Sequence, residues 1–408
     1  MIGTVIKKEL LEHLRSFRFL VITAVSLLLV FTSILVMYRD YQSRMEKYAD
    51  LLPSMKQNQT MLKPAQMSVL IKGMDEALCQ QIQISESFIS ASGSEQAYNL
   101  LFKLFTTPDL FYVIKVILSL CAMLFAFNLV SGEKEARTLA LAASNSVSRS
   151  KLVLGKWISG LACLLTPLVI AVLVTAIVFN MSPNIQMDAQ NWLKLALVLV
   201  SSMLYLAFFF SLGLLVSCSY TRSSSALVVS LFLWVLLVFV VPGLGGLAAS
   251  RLADTKSAQT LYIRQHMAWV ARQQQNIEES GGYDQITDFP EVDKLLADSR
   301  ARFERQLTLS KAVTRISPTA VYTMRATDFA GTGVLERQQH KKTILSHQLV
   351  YKQSGGEDGG KPVVFTYKRL PVAEILASGG LVNMLVILLQ NLVVLAAAYV
   401  LFLRYDVR

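Results

Sequence analysis

Six predominantly apolar stretches, residues 19–38, 110–130, 157–179, 192–217, 226–247 and 381–403, constrain this chain more than any other feature. About 20 such residues in a helix cross the roughly 30 Å of hydrocarbon in a bilayer. Inside that solvent every backbone N–H and C=O must find a partner within the protein, which leaves helices as the solution for apolar segments of this length. The fold class that follows is an all-α integral membrane protein with six transmembrane helices. Only 16% of the residues are charged, against about 25% in soluble domains, which excludes a disordered chain and disfavours an ordinary soluble enzyme. Arg15 and Arg18 before the first stretch suggest a signal peptide, but the run exceeds an h-region of roughly 7–15 residues. It leads directly into Arg39-Asp40-Tyr41 and reads as an uncleaved anchor.

Short loops set the orientation. Residues 1–18, 131–156, 218–225 and 404–408 share one face and carry twelve bases against five acids. The short loop 180–191 on the other face has Asp188 and no base. Both termini are therefore expected in the cytoplasm, with two extracytoplasmic domains at 39–109 and 251–377. These hold seven bases with eight acids and eighteen with fourteen. The net charge of +11 thus belongs mostly to a membrane rim, which removes nucleic acid as a partner. Both domains read as mainly helical, on runs such as 65–90, 257–279 and 291–313, with 362–370 as the best strand candidate.

Within the spans, Lys115 and Lys194 lie near helix ends and are expected to snorkel. Asn128, Asn383, Gln390 and Asn391 are expected to tie helices together, and Pro167 to kink the third span. Gly355, Gly360 and Lys361 fit the spacing of a phosphate loop, but Pro362 replaces the required hydroxyl and a strand pattern follows. Two glycosylation sequons, Asn58-Gln59-Thr60 and Asn180-Met181-Ser182, stand without other signs of a secretory setting. His340 and His347 are two helical turns apart without a third ligand nearby. Met45, Met55, Met61, Met67 and Met74 are too widely spaced for a copper cluster and read as packing residues. Cys79, Cys121, Cys163 and Cys218 are scattered and form no metal or disulfide framework. With no nucleophile and base constellation either, the chain by itself is not expected to be an enzyme.

The informative segment lies between the second and third spans. Residues 133–143 form a helix-favouring run of Glu, Lys, Ala and Leu. Residues 145–148 break it, and Ser148 or Ser150 can cap a second helix entering the membrane. Residues 2–18 are partly amphipathic: Ile2, Val5, Ile6, Leu10 and Leu14 share a face that Glu9 and His13 interrupt.

The string of Gly132, Glu133, Lys134, Glu135, Thr138, Leu139, Leu141, Ser144, Val147, Ser148, Arg149, Leu152, Val153, Leu154, Gly155 and Lys156 resembles the signature of ABC-2-type ABC transporter permeases. Many members have glycine before the threonine, where this chain has Arg137. Residues 2–18 resemble the family's elbow helix. Ile316-Ser317-Pro318-Thr319-Ala320 and Phe329-Ala330-Gly331-Thr332-Gly333 resemble a NosY-like subgroup with large extracytoplasmic insertions. The resemblance implies a multi-pass protein of a bacterial inner membrane, with an N-terminal elbow helix (1–18) and a cytoplasmic coupling helix (131–156). It implies a P-loop ATPase subunit that holds ATP and Mg²⁺, leaving no cofactor on this chain. The further partners it implies are a second copy or sister permease, membrane lipid and a periplasmic protein. Glu133, Lys134, Glu135, Arg137, Thr138, Leu139 and Leu141 are the residues expected to meet the ATPase. Export or extraction of a substrate is the expected activity. Mechanotransmission to a periplasmic partner is the rival. A secondary transporter is disfavoured by the lack of charge near the bilayer midplane.

Overall fold

A computed structural model describes residues 2–55, 59–84, 89–92, 109–138, 148–182, 185, 187–244, 301, 315–353 and 365–404. The chain divides into two units, Met1–Val238 with Pro318–Arg408, and Phe239–Ser317. Few residues of the second unit are described, and the helical runs expected at 257–279 and 291–313 fall outside them, as do 354–364. The architecture below is that of the first unit.

The described residues of all six apolar stretches lie in long helices. α1 is Ile2–Arg15 and α2 is Phe17–Leu51. The other span-forming helices are α4 (Leu110–Glu135), α5 (Arg149–Met181), α6 (Ala189–Ser219), α7 (Ser223–Leu244) and α10 (Val372–Arg404). Ser16 alone separates α1 from α2, its Oγ accepting from Phe19 N at 3.2 Å as an N-cap. α5 continues through Pro167, and α10 bends at Gly379, where φ is +104°.

α6 is the central helix, packed on α4, α5, α7, α10 and α8 (Pro318–Ala330). Of its most apolar stretch 67% is buried, against 22% for α2 and α10 and 17% for α7. The last three therefore present their apolar side chains outward, as a lipid solvent permits. Small residues let the interior helices approach closely. A Cβ on Gly160 would stand 2.4 Å from the Phe210 ring, and one on Gly213 would stand 2.8 Å from the Ala126 Cβ. Phe208, Phe209 and Phe210 are all buried in this core. Asn391 ties α10 to α6 as expected, donating to the Leu204 carbonyl at 2.9 Å. Lys194 does not snorkel. It is 6% exposed, buried near the start of α6 within reach of the Glu336 and Arg369 charges.

Between α2 and α4 the expected helix over 65–90 is replaced by shorter pieces. A small antiparallel sheet joins β1 (Gln59–Thr60), β2 (Gln81–Ile84) and β3 (Ile89–Ser92) in that order. Its register pairs Thr60 with Ile82 and Ile84 with Ile89. The alternation Gln81-Ile82-Gln83-Ile84 has the two-residue period of a strand, which the overall Gln and Met content of the run had masked. A single helical turn, α3 (Asp75–Leu78), precedes β2. The expected strand near 362–370 is not seen in its described part, since residues 365–370 join no ladder.

A polar network fastens this segment to the chain around it. Asp75, fully buried, accepts from Ala65 N at 3.1 Å, pairs with Arg44 of α2 and meets Arg369 Nη2 at 3.2 Å. Arg369 also donates to the carbonyls of Gly331 (2.6 Å) and Lys63 (2.7 Å). Gly73 turns at φ +49° against Thr332, where a Cβ would lie 2.5 Å from the threonine hydroxyl, and Met74 N donates to the Thr332 carbonyl at 2.8 Å.

α9 (Val334–Gln353) stands beside this network. Its His340 and His347 share a face and both pack on Phe365, with ring centroids 6.1 and 5.2 Å apart. Burial, aided by the Arg369 charge, pushes His340 down from 6.5 to about 4. The folded state thus resists protonation that the unfolded chain accepts, so stability is complete above pH 6.5 and falls as pH drops through 4. Melting curves of the purified protein are expected to show a lower Tm at pH 5 than at pH 7.5, and His340→Phe to flatten that dependence.

Candidate coupling site

The charged turn Ser131–Glu135 at the end of α4 brings together the end of α6, the start of α7, the N-terminal part of α5 and, through Lys156, the middle of α1. It starts on a hydrogen-bonded platform: Ser217 Oγ of α6 accepts from Val130 N at 2.9 Å and from Ser131 N at 3.0 Å. Three consecutive charged side chains then leave the turn in three directions.

Glu133 reaches α5, where its Oε1 lies 2.7 Å from Lys156 Nζ. The same ammonium contacts both carboxylate oxygens of Glu9 on α1, at 3.0 and 3.2 Å. Lys156 is 4% exposed and Glu9 8%. Lys134 turns the other way and donates to the Cys218 carbonyl at the end of α6, with the Tyr220 carbonyl at 3.5 Å. Glu135 Oε2 accepts from Ser223 N, the first residue of α7, at 3.0 Å. A cation at a helix C-terminus and a carboxylate at a helix N-terminus both complement the helix dipole.

α1 is held to this cluster by close packing. A Cβ on Gly155 would stand 2.8 Å from Val5, so glycine lets α1 lie directly on α5. One turn beyond Glu9, the His13 ring sits 4.9 Å from that of Phe125. Burial lowers the His13 pKa, keeping the ring neutral in its apolar seat. The two residues that interrupt the apolar face of α1 are thus its inward polar contacts.

The helix expected over 133–143 is interrupted at residues 136 and 137; Thr138 is helical again, and 139–143 lie outside the described residues. Ala136 N closes on the Gly132 carbonyl at 2.9 Å, and Arg137 adopts φ +56°. This left-handed conformation favours glycine, which is the residue many of the permeases it resembles have here. Arg137→Gly is expected to raise stability by about 0.5–1 kcal/mol, and Arg137→Val to lower it by about 1 kcal/mol, as read by thermal unfolding. The second expected helix begins on schedule, with Ser148 at the N-cap position of α5.

Of the seven residues singled out in the sequence, Glu133 and Lys134 are half-buried and point inward. Glu135 is exposed but bonded to α7, Arg137 and Thr138 are exposed, and Leu139 and Leu141 lie outside the described residues. Glu9 and Lys156 were missed as partners. Their signal was a charge on an otherwise apolar face, beside the glycine that brings α1 and α5 together. Among the described residues no cluster of His, Cys, Asp or Glu could hold a metal ion.

A family model described as ABC-2 family transporter protein matches residues 3–407, while a comparison with curated proteins finds no match. The match begins in α1, ahead of Glu9, and takes in every span. With nearly its whole length matched, this multi-pass membrane chain belongs to the ABC-2 family of transporter proteins.

Proposed function

We propose that this permease couples ATP hydrolysis on a separate P-loop ATPase subunit to movement of its six spans. The carrying observation is that the ends of α4, α6 and α7 and the N-terminal part of α5 meet at the turn Ser131–Glu135, with the middle of α1 joined to them through Lys156. A force applied there reaches all of them through charged or hydrogen-bonded contacts, without needing a long lever. In this reading α1 is the elbow helix, residues 131–156 form the coupling region, and both termini lie in the cytoplasm of a bacterial inner membrane. The ATPase engages the exposed Arg137 and Thr138, with Leu139 and Leu141, outside the described residues, as its further contacts. A second copy or a sister permease completes the membrane dimer, and the cycle exports a substrate or extracts it from the outer leaflet.

One observation favours mechanotransmission as a second reading. α8 is locked to the central helix: the Tyr322 and Ser202 hydroxyls are 2.9 Å apart, the Tyr205 and Tyr322 rings stack at 4.3 Å, and Tyr205 Oη donates to the Lys115 carbonyl at 2.9 Å. Motion of α6 therefore carries α8 with it.

Affinity purification of the tagged chain from native membranes tests the coupling. An ATPase subunit is expected in near-stoichiometric amount, and replacing residues 137–144 by a Gly/Ser linker should release it. Recovery of no ATPase in several mild detergents would contradict the reading. A periplasmic protein in the same sample would move the weight to mechanotransmission.

A further inference from the structure

The inward turn of Glu9 changes the chemistry of the opposite face of α1. We infer that this face, with the adjoining end of α5, binds anionic phospholipid headgroups. The outward positions of α1 hold Lys7, Lys8 and Arg15 as exposed cations, and Glu12 as the exposed acid. Interleaved with them are Leu11 (44% exposed), Leu14 (45%) and, at the start of α2, Phe17 (79%). α5 continues the pattern. Leu154, Ile158, Val169, Leu173 and Ile177 are exposed in a stripe along the helix, and Lys151, one turn before Leu154, ends that stripe with an exposed ammonium.

Two independent features point to lipid and not to an acidic protein. First, the apolar stripe of α5 is the surface of a membrane-crossing helix, so the plane in which the stripe meets Lys151 is the headgroup plane. Second, the mixture of short apolar and long cationic side chains on α1 is the composition of a helix lying in that plane. Charge completes the argument. Glu9 and Glu133 are consumed by Lys156, leaving four exposed cations against Glu12. Near an anionic surface each such cation is worth about a fivefold preference at modest salt.

The test uses the full-length chain with its accompanying subunits, reconstituted in bilayers. A fluorophore is placed at Gly3→Cys, where a Cβ meets open space, and quenched by brominated phosphatidylglycerol or brominated phosphatidylcholine. Phosphatidylglycerol is expected to quench with at least about fivefold higher apparent affinity. The preference should fall towards unity in Lys7→Gln/Lys8→Gln/Arg15→Gln/Lys151→Gln and in 0.5 M salt, and rise in Glu12→Gln. The last variant and the salt series keep the test decisive if the quadruple variant does not fold. Equal quenching by the two lipids, as an acidic partner protein on this face would give, overturns the inference. So does a preference that survives high salt.

Discussion

Replacing Lys156 by methionine is expected to destabilise the protein by about 3 kcal/mol, because it leaves two carboxylates facing each other without their cation. Glu9 is 8% exposed, and the Glu133 side chain, at 30%, has one oxygen in contact with the lysine. Neither has water enough to replace the ammonium. The companion variant separates charge from packing: Lys156→Met with Glu9→Leu should recover much of the loss, since an apolar pair of similar volume often matches a buried ion pair. Thermal unfolding of the single and double variants measures the coupling. If Lys156→Met alone melts like the unsubstituted protein, the cluster does not hold α1 to α5.

Asp75→Ala gives the other large effect, on the order of 3–5 kcal/mol. This carboxylate is fully buried, accepts a backbone N–H and neutralises Arg44 and Arg369. Without it two guanidiniums remain, 12% and 21% exposed. Arg44 retains Asp40 at 3.0 Å, whereas Arg369 keeps only a 4.0 Å approach to Glu336 among its described carboxylates. Limited proteolysis should detect the change as faster cleavage between residues 55 and 84, since the Asp75–Arg369 contact helps hold that segment. Unchanged cleavage together with an unchanged Tm would show that Asp75 is dispensable. Asp75→Asn should fall between, because the amide still accepts from Ala65 N.

The spans were legible because a bilayer admits one solution for twenty apolar residues, and the described residues of all six lie within long helices. Asn391 behaved as its chemistry suggests, with an amide among apolar neighbours finding a carbonyl on the next helix. The first inter-span segment was misjudged over 65–90. Composition favoured a helix there, but the decisive signal was the local alternation of Gln81 to Ile84, completed by strands that lie before and after it in sequence. Lys194 departs from expectation for a related reason: snorkelling assumes open interface, and residues far downstream in sequence, Glu336 and Arg369 among them, lie around it.

Residues 131–138 show where local pattern stops being sufficient. Glu133, Lys134 and Glu135 read as residues of a helix that meet the ATPase. Their partners are a lysine on α5 and the ends of α6 and α7, none predictable from spacing. The structure thus divides the signature string by task. Glu133 and Lys134 hold span ends together, Glu135 fastens α7, and Arg137 and Thr138 are the residues turned outward.

That division is tested most directly by cysteine crosslinking in the purified complex. Single cysteines at Gly132, Lys134 and Thr138 would each be treated with a short bifunctional reagent. The account predicts a covalent product with the ATPase subunit from Thr138→Cys and none from Gly132→Cys or Lys134→Cys. A product from position 134 with none from 138, in a complex that still retains its ATPase, would contradict it.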